Sequence, residues 1–73
     1  MDLLGMDARE FGRRVYALRM KKGWTQDMCA DRAGISLKNL RLIETHRSSP
    51  KVETVEKLGR AFGCDWDDLL GKL

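Results

Sequence analysis

The sequence predicts an all-α protein, folded as a compact five-helix orthogonal bundle around one core. The 73-residue chain contains one proline, and no segment alternates apolar and polar residues for long, as a half-buried strand would. Apolar residues recur instead at helical spacing, and capping residues separate the segments. A chain of this length forms one small domain, and its 42% apolar fraction is enough for a single core.

The first helix is predicted over residues 8–22, after an N-terminal extension of residues 1–7. Asp7 and Glu10 have the spacing of a capping box. Gly23 follows the segment and closes it, as glycine often does at the end of a helix. The inward face of this helix is expected to comprise Phe11, Val15 and Leu18.

Two short helices come next, and they are separated by a very tight turn. The second is predicted over Gln26–Ala33 behind the capping residue Thr25, and the third over Leu37–Thr45 behind Ser36. Because so few residues separate them, the two helices must cross steeply, which is the helix-turn-helix geometry. The residues expected to face the core are Cys29, Ala30, Ala33, Leu40 and Ile43.

A fourth and a short fifth helix are predicted after a loop over residues 46–50. Helix 4 lies near residues 51–62, and its buried face is expected to comprise Val52, Val55, Leu58 and Phe62. Asp65 and Asp68 resemble a cap for helix 5. This last helix is expected to contain Trp66, Leu69 and Leu70.

The charged residues are distributed unevenly along the chain. There are 14 Lys and Arg against 11 Asp and Glu, a net charge of +3. Basic residues predominate over residues 9–24 and 36–51, whereas acids cluster near the C-terminus. Such a field can orient a polyanion toward one face of the domain, although a solvated surface with uneven charge is the simpler alternative.

Several classes of function are excluded by what the sequence lacks. The chain has no run of about 18 apolar residues and no basic, apolar leader, so we expect a cytoplasmic protein with no membrane partner. Cys29 and Cys64 show no CxxC pairing and, with His46, match no zinc spacing. We therefore expect no metal, no cofactor, no small-molecule ligand and no catalytic site, and we interpret the cysteines as small buried side chains.

The residues Thr25–Ser36, TQDMCADRAGIS, carry a family resemblance. They match the pattern Thr-Gln-acid-x-Leu-Ala-x-x-Ala-Gly-Val-Ser, and the match continues in phase through Leu40, Ile43-Glu44, Ser49-Pro50, Val52 to Val55, Lys57-Leu58 and Ala61 to Gly63. The chain resembles the Cro/lambda-repressor-like, or XRE-type, helix-turn-helix family over about residues 8–70. The resemblance implies a lambda-repressor-like DNA-binding domain, with the helix-turn-helix at about 25–45 and residues 71–73 as a tail.

The family resemblance also implies a function. It points to a small dimeric transcriptional regulator of bacterial or phage origin that binds double-stranded DNA. Helix 3, Leu37–Thr45, would lie in the major groove of a pseudo-palindromic operator. The two-fold interface is expected to comprise Trp66, Leu69 and Leu70 together with part of helix 4; the alternative is that Trp66 only caps the core of the monomer. A restriction–modification controller, a phage repressor and an antitoxin-like regulator all fit this layout.

The residues predicted to contact DNA lie on and around helix 3. Lys38 and Arg41 are the best candidates for base contacts, because such side chains bond well to guanine. The family likeness gives Gln26 a contact with the DNA backbone, and Ser36 is first of all a helix cap. The full predicted set comprises Gln26, Ser36, Leu37, Lys38, Asn39, Arg41, Leu42, His46 and Arg47.

Two features depart from the family pattern. Leu37 and Leu42 occupy positions that are often polar, so they could contact thymine methyl groups, pack within the domain, or bind a protein. The last possibility defines the alternative function, a protein-interaction adaptor with both leucines exposed. His46 stands where the family usually has glycine, at a position that often needs a positive φ angle.

Three further residues are predicted to have structural roles. Arg19 and Glu44 are expected to pair across the motif and fix its geometry. Trp24, which precedes the Thr25 cap, is expected to pack in the core against helix 1.

Overall fold

The computed structural model describes residues 8–47 and 50–63, in which four helices and no strand surround one apolar core. The helices are α1 (Ala8–Lys22), α2 (Gln26–Ala33), α3 (Leu37–Glu44) and α4 (Val52–Phe62). Helix α1 packs against α3 and α4, and α2 packs against the same two. The all-α prediction is confirmed, while the predicted fifth helix lies outside the described residues. None of the four helices has the length and apolar character needed to cross a membrane.

The helix bounds agree with the prediction to within one residue. Helix α3 ends at Glu44, because Thr45 has φ −97° and ψ 10° and leaves the helical conformation. The Thr45 hydroxyl donates a 2.7 Å hydrogen bond to the carbonyl oxygen of Arg41. Helix α4 begins at Val52 instead of Lys51, since Lys51 is extended, with ψ 158°, and provides no side-chain cap.

Hydroxyl side chains begin both helices of the helix-turn-helix. Thr25 accepts a 3.1 Å hydrogen bond from the backbone N–H of Met28. Ser36 accepts one of 3.0 Å from the backbone N–H of Asn39. These contacts confirm the two predicted caps and use backbone donors that have no partner within the helix.

The core is formed where the inward faces of the four helices meet. Its buried members are Phe11, Val15, Cys29, Ala30, Ala33, Leu40, Ile43, Val55, Leu58 and Phe62. Leu18 packs against this cluster but is only partly buried. One prediction is wrong: Val52 is 46% exposed, because it begins α4 at the edge of the apolar stripe, about 60° from Val55 around the axis. Thr54, at the opposite edge, is buried instead.

Trp24 is partly buried and packs against the core, although its main ring contact is not with α1. Its indole stacks on Phe62 of α4, with ring centroids 5.7 Å apart and an interplanar angle of 17°. The guanidinium of Arg32 lies 4.9 Å from the ring centroid, and the ammonium of Lys22 lies 5.9 Å from it. Stacking on Phe62 anchors the turn between α1 and α2 to α4, and the two cations, from α1 and α2, hold the indole within the turn.

Candidate nucleic-acid interface

Helix α3 has one face in the core and the opposite face toward solvent. Leu40 and Ile43 are completely buried. At about 100° per residue, Leu37, Lys38, Arg41 and Leu42 gather on the other side. A shallow groove on this outward face is lined by Leu37, Lys38, Arg41, Leu42, Thr45 and Arg47. The structure therefore brings together six neighbouring residues, five of which belong to the predicted site.

The groove on the outward face of α3 is basic. Lys38, Arg41 and Arg47 are all exposed, and no acidic side chain is among the residues that line the groove. Such side chains can donate hydrogen bonds to phosphate oxygens and to the O6 and N7 acceptors of guanine. The face thus has the chemistry needed to bind a polyanion and to distinguish base edges.

Leu37 and Leu42 lie at the two edges of this face and are half-buried. The adaptor alternative requires both to be exposed, and the structure shows neither fully exposed. About 140° separates them around the helix axis, so each is turned partly toward its own domain and partly toward the groove. The large apolar side chains that are exposed among the described residues are Tyr16, Met20, Met28 and Val52.

A buried ion pair connects α3 to α1, as predicted. Nε of Arg19 lies 2.7 Å from Oε2 of Glu44, and Nη2 lies 3.0 Å from Oε1. The side chains are 10% and 5% exposed, respectively. A third bond, of 2.9 Å, joins Nη1 of Arg19 to the carbonyl oxygen of Trp24. The hydrogen bond to Glu44 raises the pKa of Arg19, although burial opposes the shift.

Gln26 extends this pair to the surface of α3. Its Nε2 donates a 3.0 Å hydrogen bond to Oε1 of Glu44. Its Oε1 accepts a 3.4 Å hydrogen bond from Nε of Arg41. The half-buried amide at the start of α2 therefore joins a buried carboxylate to an exposed guanidinium. We call Arg19, Glu44, Gln26 and Arg41 the polar relay.

Ser36 and Asn39 lie on a different side of α3. They line a second depression, between the α2–α3 turn and α4, together with Gly34, Ile35, Pro50, Lys51, Glu53, Thr54 and Lys57. Asn39 is half-buried there, about 100° around the helix from Lys38. The predicted site is thus divided, with the cations of the basic groove on one side and Asn39 on the other.

Helix α3 ends in a tight turn at His46, which has φ 65° as predicted. The N–H of His46 bonds to the oxygen of Ile43 at 3.2 Å, and the N–H of Arg47 bonds to that of Leu42 at 2.9 Å. These two bonds form a Schellman motif with a histidine in the left-handed position that glycine usually occupies. The turn places Arg47 in the basic groove.

Gly12 is a residue whose role the sequence analysis missed. A methyl group at this position would overlap the carbonyl oxygen of Ile43 and lie 2.8 Å from Nδ1 of His46. Helix α1 therefore approaches the end of α3 so closely that no side chain fits between them. A signal was present, because a glycine inside a helix costs about 1 kcal/mol relative to alanine and often has a packing reason.

The described part of the chain offers no evident metal site. No three His, Cys, Asp or Glu side chains within residues 8–47 and 50–63 are grouped closely enough to hold an ion. Cys29 is a free, buried thiol in the core, where burial raises its pKa. Its environment is that of an apolar packing residue.

The steeply joined α2 and α3, packed under α1 and α4, define a helix-turn-helix domain. The model of the helix-turn-helix family matches residues 15–69. The chain thus belongs to the XRE-type helix-turn-helix family of transcriptional regulators. The resemblance found in the TQDMCADRAGIS segment is confirmed.

Two relatives agree with this assignment. The HTH-type transcriptional regulator ImmR of Bacillus subtilis is 34% identical over 61 residues, which are 84% of this chain and 48% of that protein. The competence pilus inhibition repressor of Acinetobacter baylyi is 34% identical over 55 residues, 75% of this chain and 50% of that protein. The chain spans about half the length of these relatives.

The fold is also similar to that of a crystal structure of a hypothetical transcription factor, NHTF, from Neisseria. The two share a TM-score of 0.81 and 24% identity, over 86% of this chain and 72% of that one. This likeness supports the architecture of the domain.

Proposed function

We propose that this chain is a sequence-specific regulator of transcription that places α3 in the major groove of double-stranded DNA. The polar relay is the observation that carries the proposal. Arg19 of α1 and Gln26 of α2 both donate hydrogen bonds to Glu44 of α3, which holds α3 against the other two helices. The basic groove remains open to solvent. A helix about 10–12 Å across fits a major groove about 12 Å wide.

The groove geometry supports a division of roles among the site residues. Lys38 and Arg41 are exposed at the centre of the outward face and are assigned to base edges, where guanine offers two acceptors. Gln26 lies at the first position of α2, where the positive end of the helix favours a phosphate. Phosphate contacts, which position the protein without reading sequence, are assigned to Gln26, Ser36, Asn39, His46 and Arg47.

We propose further that the protein acts as a homodimer on a pseudo-palindromic operator. Two copies related by a two-fold axis would place their α3 helices about 34 Å apart, one turn of DNA. The predicted interface residues, Trp66, Leu69 and Leu70, lie outside the described residues and remain a prediction. The names of the two relatives, a regulator and a repressor, support a role in controlling transcription.

The proposal is tested by selecting bound duplexes from random and fragmented genomic DNA at about physiological salt, where non-specific binding is weak. We expect a pseudo-palindrome with half-sites about one turn apart. The Lys38→Ala/Arg41→Ala variant should lose the preference for that duplex. The matched variant Arg9→Ala/Arg60→Ala removes the same charge from exposed residues on α1 and α4 and should keep it.

Two results would contradict the proposal. One is weak binding that shows no enriched sequence and disappears as salt rises. The other is an equal loss of preference in both double variants, which would indicate a general charge effect. The adaptor alternative is less well supported, because Leu37 and Leu42 are half-buried and share their groove with three cations.

A further inference from the structure

We infer that the groove between Leu37 and Leu42 takes the C5-methyl group of a pyrimidine, beside a guanine bound by Arg41. This inference rests on the proposed function and specifies the chemistry that α3 recognises. It assigns a use to two apolar side chains that line the same groove as three cations.

The first step is the arrangement of these side chains around the helix. Arg41 lies between the two leucines, about 40° from Leu37 and 100° from Leu42. Its Nε is bonded to Gln26, which restrains the guanidinium and leaves its terminal nitrogens for another acceptor. Because Arg41 is flanked by the two leucines in one groove, we expect apolar surface beside the base next to any guanine that it binds.

The second step is the chemistry of the major groove. Base edges there present hydrogen-bond donors and acceptors, and the C5-methyl group is the apolar feature among them. A leucine placed against the amino group of adenine or cytosine would remove a donor from water without giving it a partner. Against a methyl group it buries apolar surface instead. Leu37 and Leu42 therefore favour a methylated pyrimidine and disfavour bases that present an amino group at that position.

The same methyl group has two sources in DNA. Thymine carries it as part of the base, and 5-methylcytosine carries it at the equivalent ring position. The two leucines of the basic groove fit either base, because both bases present a methyl group at the same place in the major groove of DNA.

The test uses the duplex enriched by selection and changes the DNA, so that the protein fold is unaltered. Each thymine is replaced in turn by uracil, which lacks only the methyl group, and each cytosine by 5-methylcytosine. The dissociation constant is measured at one fixed salt concentration. We expect about a fourfold weaker binding for at least one uracil, or about a fourfold tighter binding for at least one 5-methylcytosine.

Protein variants then connect the methyl effect to the two leucines. Leu37→Ala or Leu42→Ala should abolish the difference between methylated and unmethylated duplexes at one position, and far-ultraviolet circular dichroism checks that each variant is folded. Lys38→Ala is the control. It should weaken binding to both duplexes and leave their ratio unchanged.

The outcomes separate this inference from the function on which it rests. An enriched duplex whose affinity changes less than twofold with every uracil and every 5-methylcytosine overturns the methyl inference and leaves DNA recognition standing. A methyl effect that persists in both leucine variants also overturns it. Failure to enrich any duplex removes the proposed function and the inference together.

Discussion

Helices α2 and α3 are built alike at their ends and differ in how they are held. Each has eight residues and begins with a capping hydroxyl, from Thr25 in α2 and Ser36 in α3. Each also ends in a Schellman-type turn, but the left-handed residue is Gly34 after α2 and His46 after α3. The core side of α2 is formed by small side chains, whereas α3 has larger ones and the charged Glu44 beside them.

This difference fits two roles: α2 supports its neighbours, whereas α3 presents its outward face to DNA in a fixed orientation. Apolar burial has no preferred direction, so the cysteine and alanines of α2 set how closely it approaches its neighbours. Hydrogen bonds are directional, so the ion pair of Glu44 with Arg19 also sets the rotation of α3 about its axis. A helix that contacts specific bases needs a fixed rotation, and the comparison suggests that Glu44 provides it.

The largest expected effect is therefore from Glu44→Ala. This change leaves the buried guanidinium of Arg19 without its carboxylate, and we expect a loss of about 3–5 kcal/mol in the free energy of unfolding. Urea denaturation at neutral pH measures it. A loss below about 1 kcal/mol would show that water or another group replaces the carboxylate.

Two variants control for this result. Asp31→Ala removes an exposed carboxylate from α2 and should change the free energy of unfolding by less than about 0.5 kcal/mol. The double change Arg19→Met/Glu44→Leu replaces the pair with apolar side chains of similar size and should regain much of the stability. It should not regain the DNA preference, since Gln26 would lose its acceptor on α3.

Gly12→Ala should have the next largest effect. The added methyl group overlaps the oxygen of Ile43 and crowds the imidazole of His46, so α1 and the end of α3 must move apart. Overpacking of this kind costs typically 1–3 kcal/mol, which outweighs the gain of about 1 kcal/mol in helix propensity. Thermal unfolding followed by circular dichroism checks it, and an unchanged or higher Tm would contradict the close approach.

The two helix ends give a pair of smaller effects with opposite signs. A methyl group at Gly34 would find open space, so Gly34→Ala should cost about 1 kcal/mol for the left-handed conformation alone. His46→Gly removes the strain of a side chain in the same left-handed conformation, and it should stabilise the domain by about 1 kcal/mol. Urea midpoints of the two variants test this directly. If His46→Gly destabilises, the imidazole makes packing contacts that outweigh its backbone strain.

Much of the fold follows from local chemistry that the sequence displays. The caps at Thr25 and Ser36 and the apolar spacing around Leu40 and Ile43 placed α2 and α3 almost to the residue. The positive φ angle of His46 agrees with what the family resemblance implies, since the family usually has glycine at that position. Such features depend on residues close together in the chain.

The parts that could not be predicted depend on contacts between distant segments. Nothing near Gly12 in the chain indicates that it touches His46, and nothing near Gln26 indicates a bond to Arg41. The spacing of Val52 fits an apolar stripe and predicts a core position, but spacing does not show how far the packed region extends along a helix. These points require the three-dimensional arrangement of the helices.

The smallest expected effect is a pH dependence of stability that arises from the buried Cys29 thiol of α2 and not from the ion pair of Arg19 with Glu44. Burial raises the pKa of the Cys29 thiol, the Glu44 carboxylate adds to this shift, and the Arg19 guanidinium opposes it. The folded state therefore holds the thiol proton more tightly than the unfolded chain does. The contribution of this thiol to the free energy of unfolding is therefore complete below the ordinary thiol pKa of about 8.5. It is lost as pH rises above that value.

Because the thiol of the unfolded chain ionises first, we expect the free energy of unfolding to fall by up to about 0.8 kcal/mol between pH 7 and pH 9. Free energies of unfolding for Cys64→Ser and Cys64→Ser/Cys29→Ala, measured from pH 7 to 9.5, isolate this contribution as their difference. The difference should shrink as pH rises. Arg19, whose pKa is raised, keeps its charge over this range, so its ion pair with Glu44 should not add to the change with pH. A difference that is constant with pH would show that Cys29 ionises equally in both states.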